Sequence, residues 1–163
     1  MREPRAKVLQ QAKARHKKAI ENYRLAKKNK KGVAKARTEA RLSKINELKA
    51  TKGDLCKFNR LYYLMTLSDA SKLLHKKTGK QIHSQLICRM EDGEKVPNHV
   101  SYAELLSIYD EVVEITTERL KFVIDVYKDI IDFPELYTKG RVGGFVHKAK
   151  RDLEYLMELW SEL

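Results

Sequence analysis

The sequence predicts an all-α protein. Glycine and proline are scarce, 7 and 3 in 163 residues, so long windows pass without a break. Apolar residues recur at three- and four-residue steps through those windows, the period of a helix with one buried face. Nothing demands a strand, although Glu94-Lys95-Val96 leaves room for a short extended arm. The same pattern divides the chain into a basic helical arm over 1–53, a central helical unit over 54–98 and a C-terminal helical hairpin over 99–163. One compact domain with an extended appendage fits this length.

The first helix is expected from about Pro4 to Lys28. Good helix formers there carry Leu9, Ala12, His16, Ala19, Ile20, Tyr23 and Ala26 on one thin stripe and charge elsewhere. Asn29 to Gly32 reads as a turn. Helix then resumes over Val33 to Lys49, with Ala36, Ala40, Ile45 and Leu48 on its seam, and the two together suggest a helical hairpin or two jointed helices. Thr51-Lys52-Gly53-Asp54 marks the next boundary, with Asp54 as N-cap of a helix through Met65. Ser68 is placed to cap a helix over Asp69 to Lys77, Thr78-Gly79-Lys80 to stop it, and Gln81 to Met90 to form another. From Ser101, Tyr102, Tyr109, Thr116, Val123 and Ile130 lie seven apart, and Leu106, Val113, Leu120 and Tyr127 form a second such row. This predicts one long helix running to Pro134, which ends it. After Gly140 to Gly144 a final helix places Phe145, Val146, Ala149, Leu153, Leu156, Met157 and Trp160 on one side. The two C-terminal helices are expected to pack antiparallel, leaving apolar surface over 101–163 to recruit a second copy as a homo-oligomer.

Charge carries the functional signal. The net +12 is unevenly spread: residues 1–50 hold 17 Lys/Arg against 4 Asp/Glu, 51–100 hold 9 against 5, and 101–163 hold 8 against 13. A chain so polarised is built to meet a polyanion at one end. Lys13, Arg15, Lys17, Lys18, Arg24, Lys27, Lys28, Lys30, Lys31, Lys35, Arg37 and Arg41 are the phosphate-binding candidates, able to release counterions without reading bases. Lipid headgroups are the rival polyanion, but the stripe lacks the Trp, Phe and Leu face that enters them. No run approaches the roughly 18 apolar residues that span a bilayer, so no membrane partner is expected. Met1 to Arg5 leads into a polar segment with no apolar signal core. With Cys56 and Cys88 as reduced thiols, the expected setting is intracellular and reducing, cytoplasmic or nucleoid-associated.

Ser68 to Leu86, SDASKLLHKKTGKQIHSQL, resembles a helix-turn-helix, with a capped helix, a turn containing glycine and a second helix in order. The resemblance implies Ala70, Leu73, Leu74, Ile82, Leu86 and Met90 facing the core. It turns Gln81, Ser84 and Gln85 outward to base edges, with Lys76, Lys77, Lys80, His83 and Arg89 beside them. Helix pairs in plain bundles share this pattern.

Other constellations favour structural readings. Cys56, His75, His83 and Cys88 lack the close pairs of a zinc site, and His83 and Cys88 point about 140° apart on a helix; no metal is expected. Lys139 to Gly144 lacks the order of a nucleotide-binding loop, and no cofactor is expected. Asp125, Asp129 and Asp132 alternate with apolar positions as a solvated face does, and Phe58 and Tyr62 read as core, with Tyr63 the outward aromatic. The expectation is therefore a non-enzymatic nucleic-acid-binding protein, duplex DNA ahead of RNA, serving as a regulatory, organising or packaging accessory factor of a microbe or virus. The alternatives are an inhibitor or adaptor of a cellular enzyme acting through the C-terminal helices, and an RNA- or ribosome-associated factor.

Overall fold

The computed structural model describes residues 5–163, except the side chains of residues 5, 6, 8, 46 and 48–50. Pro4, the expected helix start, and the Leu48 side chain, expected on the second seam, lie outside the described residues. Seven α-helices follow in order: α1 Arg5–Asn29, α2 Val33–Tyr62, α3 Leu67–Thr78, α4 Ser84–Glu91, α5 Tyr102–Leu106, α6 Thr117–Asp132 and α7 Val142–Glu162, with a 3-10 turn at Pro134–Leu136 before α7. No strand occurs among the described residues, Glu94 to Val96 included.

The largest departure from the sequence pattern is α2. It is one helix of 30 residues, about 45 Å long, and it passes through the boundary expected at Thr51–Asp54. Asp54 is not an N-cap. It is buried, and its carboxylate accepts the Tyr155 hydroxyl of α7 at 3.1 Å. Gly53 is there for close approach: a Cβ on it would stand 2.7 Å from the Met90 carbonyl oxygen and nearer still to that of Glu91. The glycine that resembles a helix end from sequence is where the C-terminal end of α4 lies against α2.

The last turns of α2 are shared by two cores. On one side Cys56 joins Ala70, Leu74, Ile82, Ile87, Met90, Val100, Tyr102, Leu105, Ile108 and Tyr109 from α3, α4, α5 and their connections. On the other, Phe58 and Leu61 join Val113, Leu120, Val123, Ile124, Tyr127, Ile130, Ala149, Tyr155, Leu156 and Leu159 from the α6–α7 pair. Neither core contains a residue before Cys56.

Between the apolar surfaces sit two buried polar residues. Arg60 donates from Nε to both oxygens of Glu91, at 2.7 and 3.1 Å, and from a terminal nitrogen to the Met65 carbonyl at 3.0 Å. Burial works against the Arg60 charge, but the Glu91 carboxylate outweighs it and holds the guanidinium above its ordinary value; burial in turn raises the Glu91 carboxyl against the pull of Arg60. Asn59, fully buried, takes the Val113 N–H at 2.8 Å and donates to the Val113 carbonyl at 3.0 Å and the Leu55 carbonyl at 2.8 Å.

That clamp explains why the long helix expected from Ser101 to Asp132 does not form. Both backbone groups of Val113 are bonded to a side chain on α2, so they are lost to a helical ladder. Val112, Val113, Ile115, Thr116 and Thr117 are β-branched and oppose it little. The heptad rows are divided accordingly: Tyr102, Leu106 and Tyr109 serve one core, and Val113, Leu120, Val123, Tyr127 and Ile130 the other. Thr116 restarts the chain as N-cap of α6, accepting from the Arg119 N–H.

Smaller corrections follow from capping. Thr66, not Ser68, caps α3, in a reciprocal box with Asp69. Helix α3 runs through Thr78 to a left-handed Gly79, and α4 begins at Ser84, not Gln81, with His83 as its cap. Helix α7 begins at Val142, so Gly143 and Gly144 lie in its first turn and not in a loop. Met157 and Trp160, expected on its buried side, are exposed at 44% and 38%.

Alanine ordinarily favours a helix interior over glycine by about 1 kcal/mol. Gly53→Ala should do the reverse, lowering stability by about 1–3 kcal/mol as two backbone carbonyls are pushed away. Urea unfolding of the two proteins side by side decides the sign.

Candidate nucleic-acid interface

The cations of α1 and the front of α2 are displayed by a seam of small residues. Ala19, Ala36 and Ala40 are buried, while Leu9, Ala12, His16, Ile20, Tyr23 and Ala26 are half-buried. Helix α1 packs along α2, with His16 Nδ1 2.9 Å from Ser43 Oγ. Small side chains let the two backbones approach, and the long basic ones are left outside. Ile45, expected on the seam, is exposed, as are Leu25 and Leu42.

Lys13, Arg15, Lys17, Lys18, Arg24, Lys27, Lys28, Lys30, Lys31, Lys35, Arg37 and Arg41 are all exposed. Among the described residues none of the twelve lies within ion-pair distance of a carboxylate. Glu21 and Glu39 are the acids of this stretch. The bend concentrates the charge: Lys30 and Gly32 both take left-handed backbone, φ 57° and 65°, a conformation glycine adopts freely and lysine does not. Helix α2 then starts with neither a side-chain cap nor an acid in its first turn, adding the positive end of its dipole to four lysines.

The central candidates are arranged differently. Lys77 donates to the Ile108 carbonyl at 2.7 Å and pairs with Asp110 at 3.2 Å, and Lys80 pairs with Glu104 at 2.5 Å. Both tie α3 and its exit to the segment around α5. Lys76, Gln81, Gln85 and Arg89 are exposed and Ser84 is half-buried. Gln81 lies in the connection before α4, where its carbonyl lies 3.2 Å from His99 Nε2, so it does not share a helix with Ser84 and Gln85. His83 uses Nδ1 to accept the Gln85 N–H at 3.2 Å.

Arg60, Lys57 and Lys148 show what charge counting misses. Arg60 is consumed by Glu91, Lys57 lies 4.0 Å above the Tyr155 ring, and burial, with Arg60 nearby, lowers Lys148 below the ordinary lysine range. Conversely, Lys7, Lys44 and Lys52 are exposed cations of the same region, outside the sequence-based selection although charge alone marks them. Cys56 is buried, and burial pushes its thiol up to about 12. Asp125, Asp129 and Asp132 are exposed. No helix among the described residues is long and apolar enough to cross a membrane.

No protein-family model, curated protein or solved structure matches the chain.

Ser101 and Glu104 cap α5 in a reciprocal box like that of Thr66 and Asp69 on α3, and the two boxes have a pH signature. The Thr66 backbone N–H holds the Asp69 carboxyl below its ordinary value, and Lys80 with the Ser101 N–H does the same for Glu104. A carboxyl depressed by folding stabilises in full above its unfolded value, about 4, and that contribution disappears as pH falls through the folded value. Amide exchange at the starts of α3 and α5 should therefore be unchanged from pH 7 to 5, after correction for intrinsic rates, and accelerate below about pH 4. Equal protection at pH 3 would remove the carboxylates from the caps.

Proposed function

We propose that this chain is a non-enzymatic nucleic-acid-binding protein whose α1–α2 pair grips phosphates. The reading rests on one observation: twelve exposed cations lie on two packed helices and the bend between them, and no carboxylate among the described residues is near enough to pair with any of them. Like charges crowded in this way repel one another, and a polyanion relieves the repulsion while releasing its own counterions. Among the described residues neither core takes one from α1 or from α2 before Cys56, so the basic surface is carried by the part of this pair that lies outside both cores. Such contacts fix position on the polymer and carry no sequence information. Any preference falls to the α3–turn–α4 unit, where the exposed side chains of Gln85 and Arg89 suit base edges in a major groove. Duplex DNA is the favoured partner, because A-form RNA closes that groove to side chains. A regulatory, organising or packaging role inside a reducing compartment fits these parts.

Anisotropy of labelled duplex with the full chain across a salt series tests this. Six neutralised phosphates give a log–log slope of about −5. Replacing Lys27, Lys28, Lys30 and Lys31 with Gln should make it shallower by about 3 to 4. Failure to bind duplex, single strands or structured RNA in dilute salt would sink the proposal and favour a protein partner; preference for structured RNA would move it to that polymer.

We also infer that α7 receives a second copy of the chain. Leu153, Met157 and Trp160 form a stripe flanked by two grooves, with Lys150 near its start, Glu154 one turn on and Glu158 toward its end. An antiparallel copy sets Lys150 against Glu158, so the stripe complements itself, as a two-fold interface requires. Sedimentation equilibrium should give a dimer that Met157→Glu converts to monomer with an unchanged helical spectrum. A monomeric parent at millimolar concentration would refute it.

A further inference from the structure

The groove between α3 and the start of α4 has a lining unlike the rest of the surface. Ser68, Ser71, Lys72 and His75 come from α3, and Gln81, Ile82, His83 and Ser84 from the connection and the first turn of α4, around a space of about 530 Å³. Ile82 is its apolar floor, 5% exposed. Every other lining side chain carries a hydrogen-bond donor, and none is a carboxylate. In a chain with 22 Asp and Glu, an acid-free concavity with a lysine and two imidazoles has a definite chemical preference.

The internal bonds leave those donors available. Ser71 gives its hydroxyl proton to the Ile82 carbonyl at 2.6 Å, which pins the connection across the groove. His83 spends Nδ1 on the Gln85 N–H, which leaves Nε2 for a ligand. Asp69, the nearest carboxylate in sequence on α3, does not line the groove; it is engaged in the α3 cap, accepting the Thr66 N–H at 3.0 Å, and lies near enough to Lys72 to interact with its charge. Lys72 and His75 stand one turn apart on α3, both exposed. Two helices, of 12 and 8 residues, begin beside the groove at Leu67 and Ser84; Asp69 offsets the dipole of α3, but α4 has no acid in its first turn and adds positive potential.

We propose that this groove binds a phosphate group, with Lys72 supplying charge, His75 and the Nε2–H of His83 supplying donors, and the Ser68 and Ser84 hydroxyls completing the contacts. The volume accommodates a phosphorylated small molecule as well as one unit of a polymer, so the phosphate belongs either to a free nucleotide or to a nucleic-acid strand. The site goes beyond the α1–α2 arm and stands whether or not the arm binds.

The test is nitrogen–proton NMR of the full chain at constant ionic strength, titrated separately with pyrophosphate, a mononucleotide and a short single-stranded oligonucleotide. The Ser68 and Ser84 amides should shift with pyrophosphate at millimolar concentration. The Lys72→Ala/His75→Ala double variant, whose altered side chains are exposed, should weaken that response at least tenfold. The arm variant with Gln at 27, 28, 30 and 31 should retain it, which separates this site from the basic arm. Saturation by mononucleotide at lower concentration than by oligonucleotide assigns the phosphate to a free nucleotide, and the reverse order assigns it to a strand. Immobile Ser68 and Ser84 amides with all three probes, or an undiminished response in the double variant, overturn the proposal.

Discussion

The compact part of the molecule depends on the burial of Arg60. A guanidinium taken out of water is tolerable only with its charge answered and its donors satisfied, and Glu91 and the Met65 carbonyl do both. That requirement fixes where α4 must end and how the chain must turn after α2. It also brings α4 so close that residue 53 can only be glycine. The neighbouring Asn59 imposes a second demand, because its amide binds both backbone groups of Val113. Two consecutive polar side chains on one helix thus set the positions of α4, of the α5–α6 connection and, through it, of the α6–α7 pair.

The consequence is a division of labour along α2. Its last turns are a beam between two apolar cores, whereas its front half packs along α1 through a seam rich in small residues, with His16 bonded to Ser43. Charge follows that division. Where α2 is packed, Arg60 is paired and Lys57 covers a ring; where it is not, Lys35, Arg37 and Arg41 are exposed and Lys44 meets only Glu47 of its own helix. Exposed cations without ion pairs add little to stability, which is why we propose a polyanion as the partner of this surface.

Much of this was legible locally. Helix content, the small-residue seam of α1 and α2, the turn at Gly32 and the acidic solvent face of α6 all follow from spacing and composition, since each depends on neighbours within a turn or two. The apolar positions of α3 and α4 were legible for the same reason, and Ala70, Leu74, Ile82 and Met90 are buried as their spacing requires. The cation-bearing surface could be read directly, because exposure is what a charge adopts unless something distant holds it.

Distant partners decided the remainder. Asp54 has the chemistry of a cap, yet a tyrosine 101 residues away takes its carboxylate. The heptads from Tyr102 to Ile130 are real but are cut by a bond from Asn59, 54 residues upstream, and Lys77 and Lys80 are drawn into the fold by a carbonyl and a carboxylate beyond the next helix. Periodicity reports which residues want to leave water; it does not report which of two cores receives them, or which polar groups must meet when they do. The sequence by itself determined that the chain is helical and that its front is positively charged. Only the tertiary structure decided that α2 is unbroken, because the interactions that hold it join residues no local pattern connects.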